Sequence, residues 1–240
     1  MLKEKITIFF KKYFPEFALI FISVILAFAL TEWSNNQGKK VSQEKILLEI
    51  SNGLKSDSYD VMSNIEAHKN GDKACKFWRK AIVENKAEND SVAMYYFLLT
   101  RSLISVQNIT AYETLKSKGL EAIENDSLRE KIIHLYEFDY EVMRKFEEEY
   151  QENQFFDNYF IEINKKIAPN LKFDKTTGHI IGINLPIKLN NDERNILLSY
   201  LWKIQISRRE RAMAGKGLVK KINELDKRIN IELKNDREHR

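Results

Sequence analysis

The sequence predicts an all-α protein: an N-terminal transmembrane helix, then an elongated antiparallel helical bundle, with a small loop or hairpin insertion near residues 171–191. Three observations carry this reading. A charge-free apolar run lies near the N-terminus. Beyond it, long stretches repeat their apolar residues at helical spacing. Among 240 residues only 8 are Gly and 3 are Pro, too few turn formers for a strand-rich fold.

Composition sets the outer limits. The length fits one domain plus an anchor, and 43% apolar residues supply a core. The net charge is +4, and the first 31 residues hold four lysines against two glutamates. The remainder is close to balanced and lacks the clustered basic face that nucleic acid needs, so no nucleic-acid partner is expected. Cys75 is the only cysteine, which excludes an intramolecular disulfide. A buried thiol is the expected state, with an intermolecular bridge as the alternative.

Residues 1–12 read as a basic cytoplasmic leader carrying Lys3, Lys5, Lys11 and Lys12. Residues 13–33 read as the transmembrane helix. Their apolar centre, FALIFISVILAFALT, is extended by flanks to the ~20 residues that cross a hydrocarbon core. Tyr13 and Trp33 then occupy the interfacial belts. Glu16 is costly there unless it reaches the headgroups or pairs with Lys12 one turn earlier. Pro15 fits a first helical turn. The rival reading is a cleaved signal peptide with Ala27-Phe28-Ala29 as its cleavage site. The lysines before the apolar run place the N-terminus in the cytoplasm and the main domain outside the cell membrane.

Residues 34–40, SNNQGKK, read as a hinge, and 41–233 as the helical bundle. Leu47, Ile50, Leu54, Val61 and Ile65 mark a helix over 41–69, which Asn70-Gly71 should stop. A second helix is expected over 73–86. A third starts at Asp90 or Ser91 and runs through VAMYYFLLTRSLISV. Thr110-x-x-Glu113 and Ser127-x-x-Glu130 match capping boxes. The first opens a short helix ending near Gly119, and the second a long helix continuing toward Ile167, where Pro169 ends it. Gly178, Gly182 and Pro186 among β-branched residues place any strands within 171–191. Asp192 begins the last helix. Its seam runs Leu197, Leu201, Ile204, then Arg208, Arg211 and Gly215, then Leu218, Ile222, Leu225 and Ile229. The charged middle of that seam implies a mixed partner or a bend near Gly215. Its apolar end is expected to pack on Leu47, Ile50 and Leu54, and self-association is the competing use. Residues 234–240 read as a frayed polar tail.

Signatures of chemistry are sparse. The sequence has no phosphate-cradling glycine loop, nucleophile elbow or paired-cysteine metal spacing. The four histidines lie far apart. His68, Asp72 and Cys75 would share a helix face as metal ligands, but Gly71 interrupts that helix in this reading. His134, Glu137, Asp139 and Glu141 suggest a bundle metal site, but a second Glu-x-x-His element is missing. Arg208, Arg209 and Arg211 form a candidate anion or lipid-headgroup contact, against ordinary helix-surface pairing. The aromatics Phe77, Trp78, Tyr95, Tyr96, Phe97, Tyr136, Phe138 and Tyr140 read as core. No catalytic, cofactor or metal residue is assigned.

Three segments carry a family likeness: PEFALIFISVILAFALTEWSNN with EKILLEISNGLKSD; TAYETLKSKGLEAIENDSLREKIIHLYE; and ERNILLSYLWKIQISRRERAMAGKGLVKKINELDKRI. In these the chain resembles an uncharacterised bacterial family, a domain of unknown function, of anchored helical proteins. The resemblance implies one membrane helix and a helical extracytoplasmic domain. It implies no activity. The functional expectation is a membrane-anchored interaction, scaffold or sensor module. Its partners would be membrane lipid and either a protein or a second copy. A subunit of a larger membrane assembly and an enzyme with an unrecognised site are the alternatives.

Overall fold

The computed structural model describes the backbone of residues 2–238, and the side chains of these apart from 2–16 and 237. The leader lysines, Tyr13, Pro15, Glu16 and the Lys12–Glu16 pairing therefore fall on side chains outside the described residues, as does His239. The fold is 81% helical and 3% strand.

The spine is α1, Leu2–Val83, an unbroken helix of 82 residues. At 1.5 Å per residue it is about 120 Å long. It is the one helix among the described residues long and apolar enough to cross a membrane, and none of its most apolar stretch is buried against the rest of the chain. Two expectations are corrected here. Residues 34–40 are helical rather than a hinge, and Asn70-Gly71 lies inside α1 rather than ending it. The second expected helix is therefore the upper part of α1. Gly in a helix costs only about 1 kcal/mol. The packing of α1 on both sides of Gly71 offsets that.

Against α1 lies α7, Asn191–Glu238. Its start is a capping box that Asp192 alone did not reveal. Asn190 Oδ1 accepts from Glu193 N–H at 2.9 Å, and Glu193 Oε2 accepts from Asn190 N–H at 2.9 Å. The two helices run antiparallel. Gln43 Nε2 donates to Asp236 Oδ2 at 2.9 Å, Ser51 Oγ to Asp226 Oδ1 at 2.5 Å, and Arg79 Nη2 to Gln205 Oε1 at 2.8 Å. Helix α7 passes through Gly215 without interruption. A Cβ there would sit 2.9 Å from Ile65 Cγ1, so a side chain at this position would crowd α1. The tail is helical to Glu238.

Shorter elements wrap this pair: α2, Asn89–Leu99; α3, Thr110–Lys118; α4, Asp126–His134; α5, Tyr140–Glu148; and α6, Ile161–Ile167. Helix α2 stops at Leu99, well before the expected end of its apolar run. The long helix expected from Ser127 to Ile167 is divided. A π turn, Leu135–Asp139, joins α4 to α5, and a second, Phe156–Phe160, leads into α6. Neither expected capping box forms. Asn125 caps α4, accepting from Leu128 N–H at 3.1 Å, and α3 has no side-chain cap at its N-cap residue, Ile109. Asn competes well with Ser for this position, and it lies two residues earlier. Gly119, at φ 95°, ends α3 in the left-handed region, as its position suggested. The strands fall where expected. β1, Leu171–Phe173, pairs antiparallel with β2, Ile180–Ile183.

The core forms two clusters stacked along α1 and α7. The lower one joins Leu47, Ile50 and Leu54 to Leu218, Ile222, Leu225 and Ile229, with α3, α4 and α5 closing it. The upper one is built on Trp78, Phe155, Ile163, Leu197, Leu201 and Ile204. Both apolar ends of the α7 seam thus pack within the chain. Leu225, 4% exposed, lies in the lower cluster. Leu225→Ala should cost about 2–5 kcal/mol. Thermal melts at several protein concentrations should show the same drop at each. A drop that varies with concentration would make the seam an interface between chains.

Candidate functional site

Between the two clusters lies a polar layer, and its chemistry follows from one irregular segment. Residues 100–109 leave α2 and descend to α3 without regular structure. Such a segment must find partners for its peptide groups elsewhere. Side chains supply them from three helices. From α7, Arg208 Nη2 donates to the carbonyls of Leu98, Leu99 and Arg101 at 2.7, 3.0 and 3.0 Å, and Arg211 Nη2 donates to Leu103 O at 2.6 Å. From α1, Asp60 accepts from Val106 N–H at 2.9 Å and Asp57 from Asn108 N–H at 2.7 Å. From α5, Glu147 accepts from Ser105 N–H at 2.8 Å and from its hydroxyl at 3.0 Å. Cations hold the carbonyls and carboxylates hold the N–H groups.

The spacing matches an extended chain. Ser105 meets Asn64 of α1, and Asn108 meets Asp57. Seven helical residues rise about 10.5 Å and three extended residues about 10 Å, so the segment runs down α1 like a single strand. Leu98 and Leu99 are the last residues of α2, so Arg208 also sits at the negative end of that helix.

The three expected anion-contact arginines separate here. Arg208 and Arg211 are each 1% exposed, committed to peptide carbonyls, and stand over the Phe155 ring at 4.7 and 5.8 Å. Arg209 is half-exposed and paired with Asp72, Nε to Oδ1 at 2.7 Å. They do not share a face open to lipid or a free anion. His68, Asp72 and Cys75 are also placed apart in function. Asp72 accepts from Gln205 and Arg209 and pairs with Lys76 at 2.8 Å. Cys75 is buried, and burial pushes its thiol up to about 12. His68 is 2% exposed. Burial, then Arg211 and Arg208, pull it down to about 3, so it is neutral. Among the described residues no three His, Cys, Asp or Glu side chains gather as metal ligands. Of the expected core aromatics, Trp78, Tyr136 and Tyr140 are buried, while Phe97 and Phe138 are exposed.

The open site lies lower, between α4–α5 and α7. Here the π turn delivers Asp139 inward, 9% exposed. Its carboxylate accepts from Lys221 Nζ at 2.6 Å and lies 3.2 Å from His134 Nδ1. Asp139 and Lys221 line two neighbouring hollows, one on each side of this linkage, which together form a groove along α7. One, of about 410 Å³, is lined by charged side chains including Glu130, Lys131 and Arg228. The other, of about 290 Å³, is lined by Val142, Phe146, Tyr150, Gly217 and Leu218. The sequence drew attention to His134 and Asp139, but as metal ligands. Lys221, Arg228 and Gly217 carried no local signal, because the π turn that brings α5 over them leaves no motif.

Comparison of the chain with models of protein families, with curated proteins and with solved structures finds no match.

Two predictions follow from the polar layer. A Cβ on Gly71 would lie 2.3 Å from Arg208 Nε, and that guanidinium is fixed by three carbonyls. Gly71→Ala should destabilise the domain by about 1–3 kcal/mol in urea melts, although alanine favours helix. An unchanged or raised midpoint would show that the clamp gives way freely. For His68, the folded value of about 3 lies below the ordinary 6.5, so the unfolded chain binds the extra proton between them. Its contribution is full above about 6.5 and is lost as pH falls toward 3. The groups facing it are Arg208 and Arg211. The buried carboxyls of Asp57 and Glu147 are raised by burial and act in the opposite sense at the acid end. His68→Gln should flatten the loss of stability between pH 6.5 and 5. A slope as steep as that of the native chain would exclude His68 as its source.

Proposed function

We propose that the protein is a membrane-anchored helical module, single-pass with its N-terminus cytoplasmic, that carries an interaction or sensing surface away from the bilayer. One observation carries this reading. The helix holding the apolar, unburied stretch is the same helix that forms the core of the domain. A flexible tether would leave the domain free to tumble, whereas this arrangement ties it to the anchor. From Trp33 to Val83 the helix rises about 75 Å, the height at which the hairpin end would stand above the surface. The lysines before the apolar run support the cytoplasmic N-terminus. The likeness to a bacterial family of anchored helical proteins belongs to the same reading.

A subunit of a larger assembly is the second reading. Its supporting observation is that α1 between Thr31 and Val41 is largely exposed and makes no packed core with the rest of the chain. That leaves a helical neck available to a neighbour.

Topology is the test. A reporter active only in the cytoplasm, fused after Arg240, should be silent, and one fused before Met1 should be active. The chain should resist carbonate extraction and keep the mass of the uncut sequence. A fully active C-terminal reporter would reverse the orientation. A chain cut after Ala29 and released from membranes would replace the anchor with a signal peptide.

A further inference from the structure

We propose that the groove between α4–α5 and α7 binds a single-chain zwitterionic amphiphile, of the lysophospholipid class. The anchored reading above is used only for the source of that ligand.

The groove has the length and polarity of such a molecule. Ala214, Gly217, Lys221, Glu224 and Arg228 line its α7 wall. They recur every three or four residues on one helix face and span about 21 Å. The apolar end is a trough with a bare floor. A Cβ on Gly217 would meet no heavy atom within 4 Å, and Val142 and Tyr150 stand half-exposed at its sides. Apolar walls around an open floor suit an alkyl chain, and each methylene buried there gains about 0.8 kcal/mol.

The polar end favours a head bearing both charges. Asp139 is already satisfied by Lys221 and His134. Glu130, Lys131 and Arg228 line the same compartment, and none of them has an ion pair or hydrogen-bond partner among the described residues. Arg228 and Lys131 match a phosphate. Glu130 matches an ammonium and would repel a simple fatty acid's carboxylate. Taken together, the two compartments, about 410 and 290 Å³, reach the size of small-molecule sites. A second copy of the protein, laying a helix along the groove, is the competing occupant, and the test below separates the two. A single chain also leaves a bilayer far more readily than two, since exchange cost grows with every methylene.

The test uses the full chain in phosphatidylcholine nanodiscs with a lysophosphatidylcholine carrying a diazirine at its chain end. Illumination and peptide mapping should place label in two regions, residues 142–150 and the bilayer-facing residues 17–33. Gly217→Leu fills the trough and should cut label at 142–150 by about tenfold, leaving 17–33 labelled as before. Arg228→Ala should lower it severalfold, and a neutral sugar-headed probe with the same chain should label it weakly. Circular dichroism confirms that each variant is folded. Label at 17–33 with none at 142–150 overturns the proposal. So does equal labelling by the neutral probe, or labelling that Gly217→Leu does not change. A benzophenone placed at Val142 that captures a second copy of the chain would show a helix in the groove and overturn it likewise. Label at 142–150 without label at 17–33 supports the groove and defeats the anchored reading instead.

Discussion

Two buried guanidiniums determine how this domain is assembled. Arg208 and Arg211 sit where the α7 seam would otherwise carry leucine or isoleucine, and their partners are peptide carbonyls of one irregular segment. A buried cation without hydrogen-bond partners is heavily penalised. The segment must therefore pass between α1 and α7 at that height, and α2 must end beside Arg208. The carboxylates Asp57, Asp60 and Glu147 then complete the same segment from its N–H side. The consequence is two apolar clusters separated by a polar layer, rather than one continuous core. Changing the layer therefore affects the stability of both clusters.

The spine has unequal support along its length. Above Gln43 every turn of α1 packs on α7 or on a short helix, and tertiary contacts outweigh poor local propensity, including that of Gly71. Between Ser34 and Lys40 the residues are Ser, Asn, Asn, Gln, Gly, Lys and Lys, and most are exposed. Asn and Gly are weak helix formers, and among the described residues no core cluster includes any of these seven. The segment is helical, yet among the described residues of α1 beyond Trp33 it has the weakest propensity and the least packing. Gly38 illustrates the point. A Cβ would meet nothing within 4 Å, so its glycine serves no packing contact, unlike Gly71 or Gly215.

Much of the architecture was legible from periodicity. The pairing of Leu218, Ile222, Leu225 and Ile229 with Leu47, Ile50 and Leu54 follows from two amphipathic stripes that need cover, and the hairpin follows from glycines among β-branched residues. Boundaries were most legible where a single local cause sets them, as at Gly119 and Pro169, and α3 starts at Thr110 as expected although its capping box does not form. Asn70-Gly71 misled because the glycine answers a side chain 137 positions away, Arg208, rather than a local turn. Residues 92–106 misled because peptide groups in their second half bond to side chains of α1, α5 and α7, which no window can see. The candidate groove was the least legible part. Its walls meet only because a π turn adds one residue between α4 and α5, and such an insertion has no composition of its own.

The continuity of α1 also has an angular meaning. Each residue of a helix turns the chain by about 100° as well as raising it 1.5 Å. The direction in which the groove faces, relative to any chosen side of Phe17, is therefore encoded by the number of residues between Trp33 and Gln43. Adding one residue there would barely change the height, yet swing the whole domain more than a quarter of the way round its axis. Adding seven would bring it back to nearly its original bearing. The length of the neck thus acts as a compass setting, and its residue count matters more than the identity of any residue within it.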